Sequence, residues 1–290
     1  MNRVSRKLQR ATQRAHYAAT HAVGRLTGRN YHEDYIRVYP DGLEFTRRGH
    51  QRQASEDQRR NYLNHVKFYE FASQFAADAV VIDAGCGSGY GCDVLARSGA
   101  TEVLGADVSR KAIEFAIQRY PAVSFSVQEI TKMNLYADDL ADLTICSEVL
   151  EHIKEYGKED LALAELHRVT KPGGVVVVGT PNSELLGDHG FTYQEMEALF
   201  SEEFKQFVIF ENALVPFEPS WLAEWEGRLR SGKVGTVVSE NVAAGEIAFT
   251  GGKAPRVKKG ARPGKTRLGS ISIDTKLLHN THSWVVVAIA

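Results

Sequence analysis

The apolar runs of this chain are short, β-branched and bounded by polar or glycine-rich turns. Ala79–Ile82, Val175–Val178 and Trp284–Ala290 are the clearest, and such runs read as strands buried on both faces. The same reasoning places further strands at Thr101–Asp107, Val123–Val127, Ala141–Ser147 and Phe204–Phe210. Between them apolar residues recur at helical spacing. Helices are expected over 61–77, after the turn that follows Asp83 (Val94, Leu95), from a Ser109 cap to Arg119, over Glu159–Val169 up to Lys171-Pro-Gly-Gly174, and over Thr192–Phe200. Strands alternating with helices at this pitch predict βαβ units and a parallel sheet. The last strand, Ser283–Ala290, is expected to return beside the sixth and antiparallel to it, giving seven strands. Residues 213–280, with Trp221, Trp225 and several glycines, break the rhythm and read as an insertion before that strand.

Two segments stand apart. Residues 1–30 hold seven Lys/Arg and no acid, with Val4, Leu8, Ala11, Ala15, Ala18, Ala22 and Leu26 at helical spacing. They read as a basic helix whose weakly apolar face packs on its own domain or on a partner subunit, with contact to phosphates as the functional alternative. A face made mostly of alanine argues against insertion into a membrane. Residues 31–58 read as an irregular linker or lid. The division expected is therefore 1–60, basic helix and linker, and 61–290, the main domain, with 213–280 facing substrate. Lys253–Arg267 again has seven Lys/Arg and no acid. Its Pro and Gly content predicts a loop, solvated or in contact with phosphates.

Composition narrows this picture only slightly. At 290 residues, 43% hydrophobic and 24% charged, with a formal net charge of −1, the chain is an ordinary globular protein with no global pull towards nucleic acid or anionic lipid. An odd count of three cysteines argues against a disulfide framework and fits a reducing cytoplasm. No apolar run approaches the ~20 residues of a membrane span, and the N-terminus lacks a secretory core.

Candidate chemistry centres on Asp83-Ala-Gly-Cys-Gly-Ser-Gly-Tyr-Gly91. Four glycines in seven residues follow the first strand and open a helix. Backbone freed of Cβ atoms, and free N–H groups at a helix start, let a ligand lie on the main chain. The dinucleotide pattern G-x-G-x-x-G fails in every frame, because the sixth residue is Tyr90, Cys92 or Val94. The Gly-Lys-Ser/Thr of a phosphate-binding loop is also absent. The remaining pattern, D-x-G-x-G-x-G, resembles the first motif of class I S-adenosylmethionine-dependent methyltransferases. Asp107, closing the second strand, can accept both hydroxyls of a ribose. Glu129 and Ile130 match positions that flank the adenine in that family, with Gln128 a departure from the usual small residue. Thr170–Gly174, Thr180-Pro-Asn182 and Phe191–Phe200 are similar to the family as well, so the likeness covers roughly 64–211 and the last strand. It implies a seven-stranded Rossmann-like α/β fold and a cofactor site made of Asp83, Gly85, Cys86, Gly87, Gly89, Asp107, Val108, Glu129, Ile130 and Ser147.

The segment Ser147-Glu-Val-Leu-Glu-His-Ile153 leaves the fourth strand at the carboxyl edge, where ligands of such sheets bind. His152 and Glu148 are the candidate catalytic residues, His152 as a general base near neutral pH. The alternative makes Glu148, Glu151, His152 and His189 ligands of a divalent metal, a spacing shared with small-RNA 2′-O-methyltransferases. The reading without metal is favoured. The resemblance implies a methyltransferase acting on an oxygen of a sugar, glycan or secondary metabolite. RNA is the second candidate acceptor, and a non-catalytic nucleoside-binding fold the third reading.

Overall fold

The computed structural model describes residues 3–27, 43–45, 51–53, 56–183, 190–211, 247–250, 265–274 and 283–290. Helix α1 (Arg3–Thr27) leads to a small hairpin, β1 (Leu43–Phe45) and β2 (Gln51–Gln53), and to α2 (Glu56–Ala72). Then come β3 (Val80–Ala84), α3 (Tyr90–Arg97), β4 (Glu102–Asp107), α4 (Arg110–Arg119), β5 (Ser124–Val127) and β6 (Ala141–Ser147). After α5 (Leu150–Lys154), α6 (Glu159–Val169), β7 (Thr170–Pro181), α7 (Tyr193–Glu203) and β8 (Gln206–Glu211), the chain adds β9 (Ile247–Thr250), the hairpin β10 (Lys265–Leu268) with β11 (Ile271–Asp274), and β12 (Ser283–Ile289).

The main sheet has the order β5-β4-β3-β6-β7-β12-β8-β9. Its first seven strands are the expected Rossmann-like sheet, parallel except for β12, which runs antiparallel between β7 and β8. The eighth, β9, comes from the insertion and pairs antiparallel with the exposed edge of β8. Local signals explain the helix boundaries. The Ser109 hydroxyl accepts from Ala112 N at 3.2 Å, and Thr192 forms a reciprocal capping box with Glu195. Helix α2 starts five residues before the expected Asn61. Lys171-Pro-Gly-Gly stops α6 as expected but is itself strand, since Gly173 N donates to Ala290 O at 2.8 Å and Ala290 N to Gly174 O at 3.1 Å.

Alternation along the buried strands feeds two cores. Val81 and Val177 point to the side of α2 and α3, with Phe71, Leu95 and the hairpin residues Leu268 and Ile273. Ile82 and Val176 point to the side of α6 and α7, with Leu163, Leu166, Met196 and Phe200. Each such side chain contributes about 1.5–3 kcal/mol by leaving water, and this rigid scaffold holds the loops at the carboxyl edge. Strand order reverses between β3 and β6, which opens a crevice there.

Helix α1 is attached to this body in an unexpected orientation. Its contacts are made by Arg6, Arg10 and Arg14, which pair with Glu202, Glu159 and Asp160 across α6 and α7. Val4 and Leu8 of the alanine-rich face are 75% and 70% exposed. Arginine–carboxylate pairs, one of them nearly buried, decide the orientation over the weak gain from burying alanines. Trp221, Trp225, His189 and residues 253–264 of the basic tract lie outside the described residues. Among those described, no helix is long and apolar enough to cross a membrane.

Candidate active site at the carboxyl edge of the sheet

The loop after β3 is shaped from below. Asp83 is fully buried, and its carboxylate oxygens accept from Tyr69 Oη at 3.1 Å and Cys92 Sγ at 3.2 Å. Burial pushes its pKa up to about 7, against the pull of those two hydrogen bonds. Asp83 therefore braces the loop from the core side and does not line its open face. Cys86 is likewise enclosed, and burial raises its thiol to about 11, which makes it a packing residue and a poor nucleophile.

The glycines divide by what surrounds them. At Gly85 a Cβ would lie 2.3 Å from Val149 Cγ2, and at Gly89 it would lie 2.8 Å from Phe125 and Ala116. These positions permit close packing. Gly87, with φ +53°, has nothing within 4 Å of the same position. Its missing side chain leaves a space for a ligand against the main chain.

Asp107 closes this cradle from β4. One carboxylate oxygen accepts from Gly87 N at 2.9 Å and the other from Ser109 N at 2.8 Å. Burial raises its pKa, partly offset by these N–H groups. A carboxylate has about four lone-pair sites, so each oxygen retains capacity for a hydroxyl. Val108 beside it is 44% exposed, unlike a core valine. At the end of β6 the Ser147 hydroxyl is buried and has no hydrogen-bond partner among the described residues. An orphaned buried hydroxyl, an open glycine and a half-buried carboxylate at one edge fit a polar ligand with a ribose.

The residues after β5 divide between surface and core. Glu129 stays at the surface, accepting from Thr131 Oγ1 at 2.6 Å and Lys158 Nζ at 3.1 Å. Ile130, expected beside an adenine, is enclosed with Met133 and Tyr136 in the α6-side core. Gln128 locks the loop, donating to Ser126 Oγ and accepting from Leu135 N, both at 2.9 Å.

Glu148 follows Ser147 with a left-handed backbone, φ 54°, a conformation that costs a residue with a side chain about 1 kcal/mol or more. Its N–H donates to Gly179 O at 2.8 Å and its carboxylate accepts from Ser283 Oγ at 2.8 Å. Burial pushes its pKa up to about 7, and the Ser283 bond pulls the other way. Glu151 is buried and accepts from Thr180 Oγ1 at 2.9 Å, while His152 Nε2 lies 3.8 Å from Glu151 Oε1. The two carboxylates thus face different hydroxyls. Among the described residues no three His, Cys, Asp or Glu groups are placed to hold a metal ion. Two features were not singled out in the sequence. Ser283 comes beside Glu148 only because β12 pairs Ser283 with Pro181. His65 Nδ1 lies 2.6 Å from Tyr90 Oη, at the first residue of the helix after the glycines.

A family model described as a methyltransferase domain matches residues 76–232, a little over half of the chain. The chain belongs to this family. The chain is 31% identical over 121 residues to a Mycolicibacterium smegmatis protein named as a probable S-adenosylmethionine-dependent methyltransferase, covering 42% of this chain and 45% of that one. It is 35% identical over 111 residues to a ubiquinone biosynthesis O-methyltransferase of Mesorhizobium japonicum, covering 36% and 42%. The match thus spans less than half the length of these curated relatives. A solved complex of the Haloferax volcanii Trm112 methyltransferase activator with a methyltransferase contains a chain similar in fold, at TM-score 0.50 and 14% identity, covering 81% of this chain and 94% of that one.

Proposed function

We propose that this chain transfers a methyl group from S-adenosylmethionine to an oxygen of a small acceptor, a sugar, glycan or secondary metabolite. The observation that carries the reading is Glu148: a half-buried carboxyl, raised to about 7, next to Ser147 and at the edge shared with Gly87 and Asp107. S-adenosylmethionine supplies an electrophilic methyl group on a positively charged sulfur. Asp107 holds the ribose through charge-assisted hydrogen bonds, Gly87 admits the cofactor to the main chain, and Ser147 gives a hydroxyl to its polar part. The protein aligns the acceptor oxygen with the methyl carbon, which removes much of the entropic barrier. Glu148 would take the proton from that oxygen as the oxygen–carbon bond forms and the carbon–sulfur bond breaks, with S-adenosylhomocysteine as the leaving group. A base titrating near neutrality suits a hydroxyl acceptor, and the relation to an O-methyltransferase supports oxygen. His152, a quarter exposed, stands beside Glu151.

Calorimetry with S-adenosylhomocysteine tests the cofactor site. Asp107→Ala removes charge-assisted bonds of about 1.5–3 kcal/mol and weakens binding tenfold or more. Gly87→Val fills the open space and abolishes it. Unchanged affinity in both variants would overturn the assignment.

A further inference from the structure

Helix α1 turns outward the face that hydrophobic periodicity would bury. Val4 and Leu8 are 75% and 70% exposed. Ala11, Ala15 and Ala18 are exposed as well and continue the stripe at helical spacing. The helix cannot rotate to hide it. Arg10 Nε is 2.7 Å from Glu159 Oε1 with both side chains almost fully buried. Arg6 and Arg14 hold Glu202 and Asp160 on either side, and Arg14 Nε donates to Gly157 O at 2.7 Å. The backbone of Arg10 and the Cβ of Gln13 also lie against Gly157, so closely that a Cβ at Gly157 would sit 2.7 Å from Arg10 O.

We propose that this stripe rests on an anionic lipid surface, with Val4, Leu8 and the alanines in the interfacial layer and α1 lying parallel to it. Charge selects this occupant. Residues 1–30 carry seven Lys/Arg and no acid. Three of these bind the acids of α6 and α7, and the segment contains no acid of its own to offset the rest. Lys7 is exposed beside the stripe. A second copy would set two acid-free basic helices against each other, where like charges repel. An uncharged bilayer offers too little, since among the described residues of α1 only Val4 and Leu8 are large, apolar and exposed. Apolar burial and headgroup attraction must act together, as in interfacial helices that need both terms. The sheet then sits on the solvent side, with α6 and α7 between it and the lipid.

The test is co-sedimentation of the full chain with extruded vesicles. Vesicles of equal parts phosphatidylglycerol and phosphatidylcholine should retain it at about 0.1 M salt, and pure phosphatidylcholine should not. Retention should fall several-fold at about 0.5 M salt as the headgroup charge is screened. Leu8→Glu, at an exposed position, should lower partitioning about tenfold with an unchanged circular-dichroism melt, and Val4→Glu should act alike. Equal retention on both vesicle types would overturn the proposal. So would anionic binding that survives both substitutions but is lost on reversing Lys258, Lys259 and Arg262. Light scattering that shows a dimer dissociated by Leu8→Glu, without vesicle binding, would assign the stripe to a second copy instead.

Discussion

Glu148 combines a strained backbone, a raised pKa and, among the described residues, one hydroxyl partner. The Ser283 Oγ donor favours the ionised form, so removing it makes ionisation harder. In Ser283→Ala, the Glu148 carboxyl titration followed by carbon-13 resonance should move up from about 7 by roughly half a unit to one unit. Ser283→Thr, which keeps the hydroxyl, should restore it. An unchanged midpoint in Ser283→Ala would show that the bond does not set the acidity of Glu148. If Glu148 is the base, the rising limb of turnover against pH should move with its titration. At this scale the sequence revealed the polar residues after β6, because carboxylates and a histidine stand out at a helix start. It did not reveal Ser283. A serine opening a strand has no distinguishing pattern, and its neighbour is set by pairing across more than a hundred residues of chain.

Helix α6 was readable to the residue, because Lys-Pro-Gly-Gly stops it and the polar-to-apolar change starts it. Helix α1 was readable as a helix, but its orientation was not. Periodicity reports which face is apolar, and it assumes that apolar burial decides the contact. Here the alanines offer little, and Arg10 meets Glu159 and Glu202 at 2.7 and 3.3 Å. Burial works against the charge of Arg10, yet these acids and Asp160 hold its pKa above the ordinary value. Arg10→Ala would leave Glu159 buried without its counter-charge, a cost of about 3 kcal/mol. That cost is capped by detachment of the helix. The expected result is faster amide hydrogen exchange across α1, with exchange in β3, β6 and β7 unchanged. Protection of α1 equal to that of the parent chain would show that the arginine does not hold it. Strand β9 was hidden for a different reason: Ile247–Thr250 lies in a long insertion, and only the free edge of β8 selects it.

The βαβ order, the antiparallel last strand and the crevice at the strand-order reversal were legible for the whole molecule, because turn signals and apolar runs agree along its centre. The insertion was not, since its elements depend on surfaces the core must build first. The balance of buried carboxyls also belongs to this scale. Asp83 and Glu148 normally titrate at 3.8 and 4.5 and are both raised to about 7. The folded state therefore binds their protons more tightly than the unfolded chain does. This contribution to stability is complete below pH 4 and is lost as pH rises through 7. Each group removes about 1 kcal/mol per pH unit across that window. Glu165, Glu195 and Glu202, all lowered, stabilise above their ordinary range and lose their contribution only on acidification. The melting temperature should consequently decline between about pH 5 and 7 and level off above, by about 2–4 °C per kcal/mol. Asp83→Asn should make that decline shallower. A profile equally steep in the variant would place the titrating group elsewhere.

Strand β12 sets an order on events during synthesis. It lies between β7 and β8, pairing Val286 with Val178 on one side and with Ile209 on the other. Both neighbours emerge from the ribosome long before it does. Until residue 289 is free, β7 and β8 have no partner between them, and two apolar strands wait with open hydrogen-bonding edges. A nascent chain held in that state is a target for strand-binding chaperones and for pairing with its neighbours on the same message.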